Sequence, residues 1–144
     1  MNVVQELNLG DHCFGVFEML PYSMPKTILV IEHDVHLRFL LEKALEKISC
    51  KTIGISGLYE IYTTLSENSI DLILVDLVAN HWEDFNTCRQ ICQHFDVPIV
   101  ILSEQNKITA NKHAKQLGAV AYLAKPIRLR ELHYTVASVL LQAS

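Results

Sequence analysis

Several apolar runs of strand length in this sequence lead directly into side chains that can bind a cation or a phosphoryl group. These side chains are acids, a histidine, a hydroxyl and an amine: Glu32, His33, Asp34, Asp76, Ser103 and Lys125. Carboxylates hold hard divalent cations, and a carboxylate can also attack phosphorus. A hydroxyl and an ammonium group can bind the oxygens of the phosphoryl group that is transferred. If the fold brings these residues together, they suit metal-assisted phosphoryl transfer.

The apolar runs alternate with segments of helical periodicity. Thr27–Ile31 shows no alternation of apolar and polar residues, which is typical of a strand covered on both faces. In Val35–Ile48 the apolar residues recur at helical spacing, and Asp34 is well placed as the N-cap. The predicted strands are Thr27–Ile31, Lys51–Ile55, Leu72–Val75 ending at Asp76, Ile99–Leu102 ending at Ser103, and Val120–Leu123. The predicted helices are Val35–Ile48, Gly57–Glu67, Glu83–Phe95, Asn106–Leu117 and Leu129–Leu141.

Five strand–helix units with short connections predict an α/β fold in which each helix is a crossover between parallel strands. Right-handed crossovers favour a doubly wound, flavodoxin-like sheet with strand order 2-1-3-4-5. Ligands bind outside the carboxyl ends of the strands in such sheets. We therefore expect the polar residues that follow the strands to converge on one edge.

Length and composition predict a single domain over residues 26–144, preceded by an extension over residues 1–25. The extension is too apolar to be predicted as disordered, so it is either a short helix packed on the domain or a partner, or a leader before a true start at Met24. The net charge of −4 comes with no basic stripe, so we expect no nucleic-acid binding. With no apolar run of membrane-spanning length and no disulfide-like cysteine spacing, we expect a cytoplasmic protein that does not bind membranes.

From about Lys26 to Leu141 the chain resembles the receiver domains of response regulators, the CheY-like family. The resemblance implies that Asp76 is the phosphoacceptor, with Ser103 as the phosphate-sensing hydroxyl and Lys125, in Leu123-Ala124-Lys125-Pro126, as the family's lysine. It implies that Tyr122, three residues before that lysine, is the aromatic switch. It also implies a Mg²⁺ site formed by Glu32, Asp76 and the backbone carbonyl of Val78.

The acidic pocket departs from the family pattern. The family carries two adjacent acids after the first strand, and the second of them falls on His33, so that Mg²⁺ binding is expected to be weakened. Asn80, His81 and Asp84 replace a proline and small residues in the loop after Asp76. Glu104 stands where a small residue usually follows the hydroxyl, and it should disfavour an anionic phosphodonor.

Three interpretations of His33 remain open. It is a neutral substitution, an imidazolium that pairs with Asp76 or Glu32 in place of a metal ion, or a ligand for a softer metal such as manganese or zinc. Asp34 is expected to face away from the pocket and so not to replace the missing acid.

The resemblance implies two alternative functions. In the first, the domain accepts a phosphoryl group on Asp76 from a sensor histidine kinase or a phosphotransfer protein, and is at most a catalyst of its own phosphorylation and dephosphorylation. It would then signal to a downstream protein, or form a homodimer, through helix 4, strand 5 and helix 5. In the second, it is a pseudo-receiver that binds a partner without phosphorylation. It is expected to act alone or as a fragment of a longer regulator.

Overall fold

The computed structural model describes residues 25–77 and 82–143, and within them five strands and five α-helices alternate along the chain. The strands are β1 Thr27–Ile31, β2 Lys51–Ile55, β3 Leu72–Asp76, β4 Ile99–Ser103 and β5 Ala121–Ala124. The helices are α1 Val35–Glu46, α2 Ile61–Glu67, α3 Trp82–His94, α4 Lys107–Leu117 and α5 Leu129–Ala143. One 3₁₀ turn, Leu58–Glu60, precedes α2.

The five strands form one sheet in the order β2-β1-β3-β4-β5, and every pair of neighbours is parallel. This arrangement confirms the predicted fold class and strand order. Because all the strands run in the same direction, their carboxyl ends lie along a single edge of the sheet.

Alternate side chains of each strand pack on opposite faces of the sheet, and each face carries its own hydrophobic core. On one face Ile28, Val30 and Leu74 pack against apolar residues of α1 and α5. On the other face Leu29 and Ile73 pack against residues of α2, α3 and α4. The central strands β1, β3 and β4 are buried on both sides, which explains their unbroken apolar runs.

Side-chain caps fix the starts of α1 and α4. The Asp34 carboxylate accepts hydrogen bonds from the backbone N–H groups of His36 and Leu37, as the predicted N-cap should. Asn106 accepts one from the N–H of Thr109 and is therefore the cap of α4 rather than its first residue. Gly118 ends α4 at φ 93°, a left-handed conformation that glycine adopts without steric cost.

Several predicted helix boundaries differ from the structure by one or two residues, and the second helix begins four residues later than predicted. The segment predicted as the first turn of the second helix is the separate 3₁₀ turn. Helix α1 ends at Glu46 instead of Ile48, because the chain turns there toward β2 and Ser49 takes a positive φ of 64°. In the part of the chain that the structure describes, no helix has the length and apolar character needed to cross a membrane.

Candidate functional site

The carboxyl edge of the sheet brings together acids from β1 and β3, a hydroxyl from β4 and an amine that follows β5. Asp76 is the last residue of β3 and pairs in register with Leu102, the residue before Ser103. Ser103 pairs with Ala124, the residue before Lys125. The parallel register therefore carries residues far apart in sequence to one place, as the strand-end argument predicted.

Lys125 connects the two buried acids. Its Nζ lies 3.1 Å from Asp76 Oδ2 and 3.2 Å from Glu32 Oε1, and its backbone N–H donates to the carbonyl of Ser103 at 2.8 Å. Burial acts to lower the pKa of Lys125, but the carboxylates of Asp76 and Glu32 outweigh it and raise that pKa above the usual value. The lysine therefore stays charged between two acids.

Glu32 is the most buried acid of the site, with 1% of its surface exposed. Its backbone is fixed on both sides, because its N–H donates to the carbonyl of Ile55 at 3.1 Å and its carbonyl accepts from Arg38 Nη1 at 2.7 Å. Burial, the side-chain contact with Asp76 and the charge of Asp76 raise the pKa of Glu32 to about 7, although Lys125 opposes the shift. Within the described residues Glu32 Oε2 has no hydrogen-bond partner.

His33 lies at the mouth of the site, with 71% of its side chain exposed. Its Nδ1 is 3.7 Å from Asp76 Oδ2 and 3.9 Å from Glu32 Oε2. Both separations are too long for hydrogen bonds. The imidazole therefore faces both acids without being bonded to either.

Asp34 does not join this cluster, as expected, because its carboxylate caps α1. The hydrogen bonds from Leu37 and His36 lower its pKa. The predicted carbonyl ligand Val78 lies outside the described residues, and so do Asn80 and His81 of the altered loop.

The remaining residues predicted from the sequence to belong to the site are Ser103, Glu104 and Tyr122, which lie at or after the end of β4 and on β5. Ser103 is buried, and its Oγ accepts a hydrogen bond from the N–H of Gln105 at 3.0 Å. Tyr122 is half-buried and packs against the core on the side of α2, α3 and α4. Glu104 is exposed next to Ser103. The hydroxyl therefore lies on β4, the strand next to Asp76, and the aromatic ring lies one strand further, on β5.

A pocket that was not predicted from the sequence lies between the site and the loop that follows β2. Ser56, Gly57 and Leu58 line this pocket of about 210 Å³ together with His33 and Asp76. The signal was present in the sequence, because Ser56 and Gly57 follow a strand end as the other site residues do. The pocket leaves open space beside the Asp76 carboxylate.

One donor atom from each of Glu32, His33 and Asp76 lies within 4.8 Å of the other two, so that the three residues could hold a metal ion. The Asp76 carboxylate can act as a nucleophile, and Lys125 can bind the anionic oxygens of a group attached to it. The arrangement is therefore suited to phosphoryl transfer to a carboxylate.

Comparison with known proteins identifies the family. The model of the response regulator receiver domain matches residues 28–137. BceR of Halalkalibacterium halodurans, a sensory transduction protein, is 29% identical over 113 residues, which are 78% of this chain and 49% of that protein. The heme response regulator HssR of Staphylococcus saprophyticus is 24% identical over 114 residues, 79% of this chain and 51% of that protein. The chain thus spans about half the length of these curated relatives.

The comparison with solved structures also finds a response regulator. A response regulator from Thermotoga maritima is 29% identical, with a TM-score of 0.74 and coverage of 81% of this chain and 98% of that one. The chain belongs to the response regulator receiver domain family of two-component signal transduction. Receiver domains are signalling domains rather than classical enzymes; they generally bind Mg²⁺ in an acidic pocket and interact with histidine kinases or phosphotransfer proteins.

Proposed function

We propose that this domain accepts a phosphoryl group on Asp76 from a sensor histidine kinase or a phosphotransfer protein. The observation that carries the proposal is the contact of Lys125 Nζ with Asp76 Oδ2 at 3.1 Å, at the end of the central strand β3. A carboxylate held beside an ammonium group, with Ser103 on the next strand, has both a nucleophile and partners for the incoming charge.

The proposed reaction forms a bond between an Asp76 carboxylate oxygen and phosphorus. The phosphorus–nitrogen bond of the donor phosphohistidine breaks, and its electron pair stays on the departing imidazole. The ammonium group of Lys125 and the hydroxyl of Ser103 bind phosphoryl oxygens of the product, an acyl phosphate. Attack by water on phosphorus would later release phosphate and restore Asp76.

The residues of the acidic pocket fit a divalent cation, but they fit Mg²⁺ less well than two adjacent acids would. Glu32 Oε2 is buried without a partner among the described residues, and Asp76 supplies a second oxygen. His33 offers nitrogen where Mg²⁺ prefers oxygen. We therefore infer weak binding of Mg²⁺, which would neutralise charge on Asp76 and on the phosphoryl group.

The output surface that we propose is formed by α4, β5 and α5. Lys107, Tyr122 and Tyr134 line a groove of about 400 Å³ there, and Tyr122 connects it to the strand that leads to Lys125. Movement of Ser103 toward a phosphoryl group on Asp76 would make room for Tyr122 to follow. The equilibrium between two packings of this surface would then shift, and a downstream protein or a second copy would bind one of them.

A pseudo-receiver is the second candidate function, and His33 is the observation that favours it. An imidazole in place of a carboxylate weakens the binding of Mg²⁺, and Glu104, exposed beside Ser103, disfavours an anionic phosphodonor. In that case the domain would bind its partner without phosphorylation.

Incubation with acetyl phosphate, with and without Mg²⁺, separates the two candidates when phosphorylation is read by intact mass. We expect an adduct of one phosphoryl group that is absent from Asp76→Asn and present in Asp96→Asn, a matched change at an exposed aspartate before β4. A folded protein that forms no adduct would favour the pseudo-receiver.

A further inference from the structure

Glu32, His33 and Asp76 offer a mixed set of metal ligands rather than oxygen atoms alone. Glu32 and Asp76 offer carboxylate oxygens, and His33 offers an imidazole nitrogen from the loop after β1. Glu32 directly follows β1, and Asp76 ends the neighbouring strand β3, which is paired with β1. The sheet therefore positions the two carboxylates, and His33 is the next residue after Glu32.

The distances leave room for an ion. Ligands bound at about 2.0–2.2 Å to a first-row metal ion lie about 3.0–3.6 Å from one another. Nδ1 of His33 is 3.7 Å from the Asp76 oxygen and 3.9 Å from the Glu32 oxygen, slightly wider than that range. A small inward movement of the exposed imidazole would bring Nδ1 within that range of both oxygens.

The buried oxygen of Glu32 is an independent indication that a ligand belongs here. Lys125 contacts Oε1, whereas Oε2 has no hydrogen-bond partner among the described residues although Glu32 is 1% exposed. A buried acceptor without a donor is unfavourable. Because Oε2 faces Nδ1 of His33, a cation between them would be coordinated by both the oxygen and the nitrogen.

We infer that Glu32, His33 and Asp76 form a site that prefers a divalent transition-metal ion over Mg²⁺. Imidazole is a good ligand for zinc, nickel and similar ions, and affinity for sites with nitrogen donors rises along the first-row series. Mg²⁺ keeps its waters and favours oxygen. The inference goes beyond the proposed phosphorylation and does not depend on it, because the ion binds without a phosphodonor.

Titration of the metal-free protein with Co²⁺ alone tests the inference, because the visible absorption of Co²⁺ changes when protein ligands replace its water ligands, and the His33 variants then test the nitrogen ligand. We expect saturable one-to-one binding with at least about tenfold higher affinity than that of Mg²⁺, measured by competition. In His33→Asp the Co²⁺ affinity should fall about tenfold or more and the Mg²⁺ affinity should rise. His36→Ala, a change of an exposed histidine on α1, should leave both affinities unchanged.

His33→Gln provides a second variant that keeps a polar side chain, should the aspartate impair folding. Absence of saturable Co²⁺ binding to the unmodified protein would overturn the inference. An unchanged ratio of Co²⁺ to Mg²⁺ affinity in the His33 variants would overturn it too. Neither result would bear on phosphorylation of Asp76, which the mass measurement tests separately.

Discussion

The site has two halves that differ in how far they keep the residue types of the receiver family. The phosphoryl half contains Asp76, Ser103 and Lys125, on and after β3, β4 and β5, at positions where the resemblance to the family predicts these residue types. The cation half contains Glu32 and His33 after β1, where the resemblance predicts two adjacent acids. The two halves meet at Asp76, whose Oδ2 is 3.1 Å from Lys125 Nζ and 3.7 Å from His33 Nδ1.

This difference indicates that the two tasks of the site can change separately. In the proposed function, the phosphoryl half positions a nucleophile and a cationic partner through strand register, whereas the cation half determines which ion balances the charge. A change at the exposed His33 leaves the contact between Lys125 and Asp76 in place. We therefore expect substitutions in the two halves to produce different effects, which the following variants test.

The largest effect is expected from Lys125→Met in the phosphoryl half. Loss of the ammonium group that contacts Asp76 should slow phosphorylation by acetyl phosphate about 100-fold or more, because a preorganised charge partner of the phosphoryl oxygens is removed. The rate is measured by intact mass over time. Lys112→Met, at an exposed position on α4, is the matched control and should react at the unmodified rate. Equal rates for both variants would remove Lys125 from the proposed mechanism.

The second effect concerns the dependence of stability on pH. Burial raises the pKa of Glu32 to about 7 from its ordinary value of 4.5, so the folded protein binds more protons than the unfolded chain between these values. The free energy of unfolding should therefore fall, by about 1–3 kcal/mol, as pH rises from about 4.5 to 7.

Urea unfolding with a chelator present, at several pH values, measures this effect as the difference between the unmodified protein and Glu32→Gln. The glutamine variant cannot titrate at this position and should gain relative stability toward neutral pH. Parallel pH profiles for the two proteins would show that Glu32 is not held in its protonated form by the fold.

A smaller effect is expected from His33→Asp in the cation half. A carboxylate at position 33, in addition to those of Glu32 and Asp76, should raise the Mg²⁺ affinity about tenfold. It should lower the Mg²⁺ concentration needed for phosphorylation to the same degree. The rate of adduct formation as a function of Mg²⁺ concentration measures this change. His36→Asp adds the same charge nearby on α1 without entering the pocket. An equal gain in that control would mean that the effect comes from net charge and not from a new metal ligand.

The smallest effect is expected from Glu104→Ala. Removing an exposed acid beside Ser103 should raise the rate with anionic acetyl phosphate about twofold at low ionic strength. The gain should disappear in high salt, since exposed charges are screened. A gain that persists in high salt would point to a steric rather than an electrostatic role for Glu104.

The sequence was enough to predict those parts of the molecule that depend on hydrophobic periodicity and on the positions of the strand ends. The unbroken apolar runs of the central strands predicted a sheet covered on both faces, and the residues after those runs predicted the edge at which Glu32, Asp76, Ser103 and Lys125 are found. The N-cap role of Asp34 followed from its place before an amphipathic segment.

Contacts that depend on side-chain geometry could not be predicted in the same way. The sequence left three interpretations of His33 open, because its distance from two acids depends on how the loop after β1 leaves the sheet. Among the residues that the structure describes, Oε2 of Glu32 has no hydrogen-bond partner because Lys125 contacts only the other oxygen, a detail that spacing does not encode. The pocket beside Ser56 depends on the 3₁₀ turn that replaced the predicted first turn of the second helix.

The most direct test of the account is to identify the residue that carries the phosphoryl group. After reaction with acetyl phosphate, borohydride reduction converts an aspartyl phosphate to homoserine, which peptide mass spectrometry can locate. We expect homoserine at position 76, formed only when the phosphodonor is present. Homoserine at another position, or none in a protein that has taken up a phosphoryl group, would contradict the assignment of Asp76 as the phosphoacceptor.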